Sequence, residues 1–307
     1  MITRIVGSSD WHLNPSTPVS RNDNYIETAL HKVEQLVTIA NDRDAHLSIA
    51  GDIFDHTKIP SVIINDLADI LSKCNHPVIS VAGQHDMYYR LLNNNSPYMS
   101  LVKMGVIRHL GQYQNVFGMS FGEEINVKSV PKNAILIAHK TITKDKPPFF
   151  LKDAISAKSM LTRYKMFRVI ITGDYHSPFV VFSPDRRVIV NCGSLMRKDK
   201  DQLNYKPSAY FVDLTTEMLS VETIPLEIQP PSKVFNMATL KGDAVLDDST
   251  FSVNLDIVVQ KLQSTDNRPD YKNIVFALAA QHKVSKREDQ EIRDIMRVAE
   301  SVHGDSK

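Results

Sequence analysis

Six short apolar runs constrain this chain more than anything else in its sequence. They are Thr3–Gly7, His46–Ala50, Val78–Ala82, Ala134–Ala138, Val169–Thr172 and Val188–Val190, and each ends in a polar cluster. Runs of this length, rich in β-branched residues, read as buried strands rather than helices. Between them, Tyr25, Ile26, Ala29, Leu30, Val33, Leu36 and Val37 make one helical face, and Ile63, Ile64, Leu67, Ile70 and Leu71 make another. Strands alternating with helices predict parallel βαβ units in a layered α/β domain. Two later segments, FVVF-SPDR-RVIV and YFVDL-TTE-MLSVETI, read as hairpins. Hairpins grafted onto βαβ units predict mixed sheets rather than a purely parallel one.

The pattern breaks at Pro225, Pro230 and Pro231. This predicts a main domain over 1–225 and a small C-terminal α+β module over 226–307. Within the module, SVNLDIVVQKLQS reads as a helix and NIVFALAA as a strand. The last segment is a helix with a Ser285-x-x-Glu288 capping box and a stripe of Ile292, Ile295, Met296 and Ala299. That stripe either packs on its own module or binds a partner.

Lys and Arg number 36 against 35 Asp and Glu, a net charge of +1. No global field therefore draws the chain to nucleic acid or membrane, and a polyanion must be held by a local basic patch or by metal ions. Cys74 and Cys192 form no CxxC pair, which argues against a disulfide framework or a thiolate zinc site and suits a reducing compartment. MITRIVGSSDWHL lacks the pattern of a signal peptide, and no apolar stretch approaches the roughly 20 residues that span a bilayer. The expected location is the cytoplasm, with no membrane association.

The chemistry-bearing residues stand where the runs end. S-D-W-H follows the first with Asp10 and His12, and G-D-I-F-D the second with Asp52 and Asp55. G-Q-H-D follows the third with Gln84, His85 and Asp86, His139 closes the fourth, and G-D-Y-H follows the fifth with Asp174 and His176. In α/β sheets the loops at the carboxyl ends of strands gather into one site. Several carboxylates gathered there would repel one another and lose solvation unless cations offset them. Alternate side chains of an extended D-x-H point the same way, so both reach one ion. Carboxylate, imidazole and amide ligands without thiolate suit manganese, magnesium, iron or zinc. About seven ligands exceed one tetrahedral site and suit two ions sharing a carboxylate, an arrangement for phosphoester hydrolysis. A lone D-x-H or GDxxD means little; the ordered set at five strand ends is what carries the reading. No GxSxG, HExxH, GxGxxG or GxxxxGK[ST] competes with it.

This ordered set resembles the calcineurin-like metallophosphoesterases, over residues 1–225. SDWHL, AGDIFD, GQHD and the later NCGSLMR resemble more narrowly the SbcD-type nuclease subunits that process double-strand breaks, and the short tail after the main domain is similar to that of compact phage-encoded members. The resemblance implies a sandwich of two mixed β-sheets flanked by helices. It implies that Asp10, His12, Asp52 and His176 bind one metal, and that Asp52 bridges to a second held by Gln84, His139 and Asp174. His85 would stand beside the scissile phosphate, oriented by the Asp55 or Asp86 carboxylate.

Two positions depart from the family's pattern. GNHD has become GQHD at Gln84, and G-H-x-H has become G-D-Y-H at Asp174. Either the longer amide and the shorter acid compensate, giving an oxygen-rich site that favours manganese or magnesium, or the second site is weak. The resemblance further implies two divalent ions (manganese first, magnesium next), a DNA substrate, a homodimer and an SbcC-like SMC-type ATPase partner. DNA backbone contacts would fall to Arg186, Arg187, Arg197 and Lys198, although interleaved acids equally suit a solvated loop. The alternatives are a phosphoesterase acting on a small phosphodiester or phosphoprotein, and a metal-binding scaffold of a recombination complex.

Overall fold

The computed structural model describes residues 1–125, 129–148, 151, 153–198, 202–215 and 218–236. The C-terminal elements expected beyond these, including the helix capped at Ser285, lie outside the described residues. All six apolar runs are strands: β1 (Arg4–Ser8), β2 (His46–Ala50), β3 (Val78–Val81), β7 (Ile135–His139), β10 (Val169–Gly173) and β12 (Val188–Asn191). The minor strands are β4 (Ile107–His109), β5 (Gln112–Tyr113), β6 (Val116–Met119), β8 (Ile142–Thr143) and β9 (Ile155–Ser156). The two expected hairpins pair β11 (Phe179–Phe182) with β12, and β13 (Ser208–Asp213) with β14 (Ser220–Pro225).

Two six-stranded sheets result, ordered β14-β13-β1-β2-β3-β4 and β11-β12-β10-β7-β6-β5. In the first, β1 to β4 are parallel and the β13–β14 hairpin joins β1 antiparallel; in the second, β12, β10, β7 and β6 are parallel between antiparallel edges. This is the mixed-sheet sandwich. The strands read as unbroken apolar runs because both faces of each sheet are covered. Along β7, Ile135 and Ile137 point into the core between the sheets, where they meet Ile5, Ile79 and Val81; Leu136 and Ala138 point the other way, toward α4 (Ala157–Arg163). The outer face of the first sheet is covered by α1 (Tyr25–Asp42), α2 (Ser61–Leu71) and α3 (Pro97–Lys103). Helix α1 begins where the Asn24 side chain accepts a hydrogen bond from the Glu27 amide, and it buries the face expected from its spacing.

Regular pairing stops at Pro225, but the fold does not. Leu226, Val234 and Phe235 are buried, with Val234 closing the short helix α5 (Pro231–Val234). The Asn22 amide donates to Val234 O and the Asn236 amide to Ser20 O. The first compact unit runs from Met1 to Leu240. Proline fixes where a strand can end, whereas the apolar residues after it decide what else is buried.

Candidate metal centre

The strand ends carry an uncommon backbone. Asp10, His12, Asp52 and Asp174 all have positive φ, at 51°, 47°, 53° and 82°. Non-glycine residues there cost on the order of 1–3 kcal/mol each and persist only where the surroundings over-determine them. Here the chain is pinned across the sheet: the Asp10 amide donates to Gly51 O and the His12 amide to Asp52 O, both at 3.0 Å. The Asp174 amide donates to both Asp10 carboxylate oxygens at 3.1 Å, and the His85 amide to Asp52 Oδ1 at 2.9 Å. Two glycines leave the necessary space. A Cβ at Gly51 would lie 2.2 Å from His139 Nδ1, and one at Gly83 would lie 2.0 Å from Asp52 Oδ1.

The buried groups share charge strongly. Burial pushes the Asp10 carboxyl up to about 7, with Asp52 and Asp174 adding to the rise and His139 opposing it. Burial also raises Asp52, but the positive charge of His139 outweighs it and holds that carboxyl well below the usual range. Burial alone would lower His139; the Asp52, Asp10 and Asp174 carboxylates instead hold it up at about 10. Its Nδ1–H donates to Ala50 O and its Nε2–H to Gln84 Oε1, at 2.7 and 2.8 Å. Among the protein groups, His139 thus carries the charge that offsets the acids. His12 is lowered and His176 falls to about 4, chiefly through burial, so both rings offer lone pairs at neutral pH.

Two features fit divalent cations. Asp52 Oδ2 is buried without a hydrogen-bond partner, 3.4 Å from His139 Nε2 and 3.9 Å from His12 Nε2. His12 Nε2 faces His176 Nε2 at 3.2 Å, although both rings are held neutral. Among the described residues, Asp10, His12 and His176 bring one ligand atom each within 4.8 Å of one another, and so do Asp10, Asp52 and His139. Carboxylates and neutral imidazoles at that spacing are ligands for hard or borderline ions.

The sequence profile described as calcineurin-like phosphoesterase matches residues 3–178, more than half the chain and all of this centre. The chain belongs to the calcineurin-like phosphoesterases. No curated protein matches it in sequence. Among solved structures it is similar to an archaeal phosphodiesterase, at 15% identity and a TM-score of 0.42, over 73% of this chain and 99% of that one. A dimetal phosphatase from Danio rerio is similar at 9% identity and a TM-score of 0.46, over 73% and 96%. A 5'-nucleotidase precursor from Thermus thermophilus is similar at 12% identity and a TM-score of 0.40, over 80% and 58%.

In this phosphoesterase the two departures from the family pattern meet each other. Gln84 Nε2 donates to Asp174 Oδ1 at 2.8 Å, and Thr141 Oγ1 donates to Asp174 Oδ2. Gln84, His139 and Asp174 therefore form one connected group beside Asp52. Neither carboxylate expected to orient His85 does so. His85 Nδ1 donates instead to the backbone carbonyl of Asp55 at 2.7 Å, which frees the Asp55 carboxylate for other partners. That carboxylate lies 3.2 Å from His12 Nδ1 and accepts from Lys198 Nζ and Asn14 Nδ2, both at 2.7 Å. Burial opposes its ionisation, but His12 and Lys198 hold it far below the usual range. Asp86 is fully buried and accepts from the Phe54 and Gly83 amides at 3.1 and 3.0 Å, which shapes the loop under His85. Burial, with Asp52 nearby, raises its carboxyl to about 7.

The four expected DNA contacts separate. Lys198 is at the centre, on Asp55. Arg197 is buried, with its guanidinium donating to Leu203 O and Gln229 O, so it tethers chain rather than meeting a ligand. Arg186 and Arg187 sit on the turn before β12, which runs parallel to β10. They lie at the opposite end of the sheet from Asp174, about 13 Å or more away at a strand's rise per residue. Arg187 is also tied to Asp185 and Leu161 O. The D-x-H unit is not extended as expected, since Asp10 and His12 both have positive φ. Asn14 on Asp55 and Thr141 on Asp174 were not marked in the sequence, because no local pattern signals those contacts.

Proposed function

We propose that this phosphoesterase hydrolyses phosphodiester bonds in DNA with two divalent ions, manganese before magnesium, as the SbcD-type subunit of an end-processing complex. The observation that carries this reading is the packing of the NCGSLMR stretch, where the narrower resemblance lies. The Leu195 amide donates to Asp10 O, Ser9 Oγ to Gly193 O and the Ser194 amide to His176 O, at 3.0–3.3 Å. That stretch is thus stitched to the ligands of one metal, and Lys198 follows it onto Asp55.

Bound ions would supply Lewis-acid polarisation of the phosphoryl group and a nucleophile at neutral pH. Asp10, His12, Asp52 and His176 would hold one, and Asp52, Gln84, His139 and Asp174 the other. The chain does the rest. The Asp55 carboxylate lies 3.2 Å from His12 Nδ1, and the Asp55 carbonyl accepts from His85 Nδ1, which orients the His85 ring. With Nδ1 so engaged, the exposed His85 has Nε2 left to donate to a phosphoryl or leaving oxygen when the ring is protonated.

His85→Ala is expected to lower turnover of linear single- and double-stranded DNA with manganese by roughly 10²-fold, while manganese binding by calorimetry persists. Unchanged turnover would remove His85 from the chemistry. A homodimer, an SMC-type ATPase partner and a cytoplasmic setting belong to the same proposal. A second reading, a small phosphodiester or phosphoprotein as substrate, is favoured by the fate of Arg186, Arg187 and Arg197, none of which lines the centre. Hydrolysis of bis(p-nitrophenyl) phosphate with no DNA cleavage would select it.

A further inference from the structure

Directly after the Gln84–Asp86 motif the chain makes a small excursion that the chemistry above does not use. Its base is fixed. Ser96 Oγ donates to Asp86 O, and Met87 and Leu92 pack against the helix-side core. Its tip is a two-residue turn, with Tyr88 and Leu91 exchanging amide-to-carbonyl hydrogen bonds at 3.0 Å in both directions. Tyr89 and Arg90, the two turn residues, have φ of 51° and 59°. Such a turn takes Asn-Gly by preference, because both positions need the left-handed region. Here an aromatic and a cationic side chain occupy them.

These side chains stand outside the hydrophobic core. Tyr89 is 84% exposed and Leu91 67% exposed, and Arg90 is exposed as well. Tyr89 meets the Tyr88 ring edge-on at 4.6 Å between centroids. A rigid base thus carries an aromatic face, a guanidinium and an aliphatic group into solvent. Tyr89 is four residues from His85, within about 14 Å along an extended chain.

We propose that the Tyr88–Leu91 turn is a stacking platform for an unpaired nucleobase of the strand held at His85, with Arg90 on a neighbouring backbone phosphate. This rests on the phosphodiesterase reading and deepens it, naming single-stranded or frayed nucleic acid as the substrate class. Base–aromatic stacking tolerates any sequence because every base has a π-face, and a nearby guanidinium adds both phosphate attraction and cation–π contact.

The test measures binding of a single-stranded oligonucleotide containing 2-aminopurine to the full chain with calcium in place of manganese, so that the ion sites stay charged while turnover is suppressed. Wild type is expected to quench the fluorophore, Tyr89→Ala to bind roughly tenfold more weakly or worse, and Tyr89→Phe to restore binding. Equal binding by Tyr89→Ala would overturn the platform while leaving the nucleic-acid reading in place. Hydrolysis of bis(p-nitrophenyl) phosphate by a wild type that binds no oligonucleotide would remove that reading and the platform together. Loss of self-association by Tyr89→Ala in sedimentation, without loss of oligonucleotide binding, would overturn the platform and assign the tip to a second copy of this chain.

Discussion

At Asp55 one residue performs two tasks through different atoms, and substitution separates them. Its carboxylate lies against His12 Nδ1 and Lys198, while its carbonyl accepts from His85. Asp55→Asn keeps the carbonyl but removes the charge that lies against the His12 ring. Partners of this kind behind a metal-binding histidine typically contribute 10–100-fold in metal affinity. Asp55→Asn is therefore expected to weaken manganese binding by roughly that factor in calorimetry, with little change in melting temperature. A large drop in stability at unchanged affinity would instead make Asp55 a purely structural anchor. The sequence marked Asp55 but not the atom it uses, because a carbonyl carries no sequence signature. Gln84 and Asp174 were likewise visible as departures, whereas their mutual hydrogen bond was not.

Among the elements, the strands were legible to within a residue or two because they are buried on both faces and bounded by turn residues. Helices α1 and α2 were legible from their apolar faces. The boundary at Pro225 marked the end of a strand rather than the end of a packed unit. Phe235 is fully buried, with the guanidiniums of Arg21 and Arg197 over its ring at 5.8 and 5.5 Å. Phe235→Ala is expected to cost about 3–5 kcal/mol, and about 2–4 °C of melting temperature per kcal/mol for a unit of this size. A melting temperature unchanged by the substitution would mean that the segment after β14 adds nothing to the fold.

For the molecule as a whole, net charge says little, since +1 overall coexists with a buried cluster of acids offset by His139. That offset ties metal binding to pH. His139, held at about 10, must lose its proton before Nε2 can bind an ion, so apparent affinity should rise about tenfold per pH unit below that value. Below about 7, Asp10 is also protonated and the dependence should steepen. Calorimetric titration of manganese from mildly acidic to mildly alkaline pH, in buffers of different ionisation enthalpy, reads both the slope and the protons released. A flat profile would mean that His139 is already neutral or is not a ligand.

The strand pattern, the mixed sheets and the set of residues at the strand ends could all be read along the chain, because local periodicity and chemical type reside in neighbouring positions. Folding settled the rest: which carboxylate faces which ring, the burial of Arg197, and the place of Arg186 and Arg187 at the far end of their sheet. The left-handed turn that carries Tyr89 and Arg90 also emerged only there. Those outcomes depend on contacts between residues tens of positions apart and on backbone angles that no local pattern encodes.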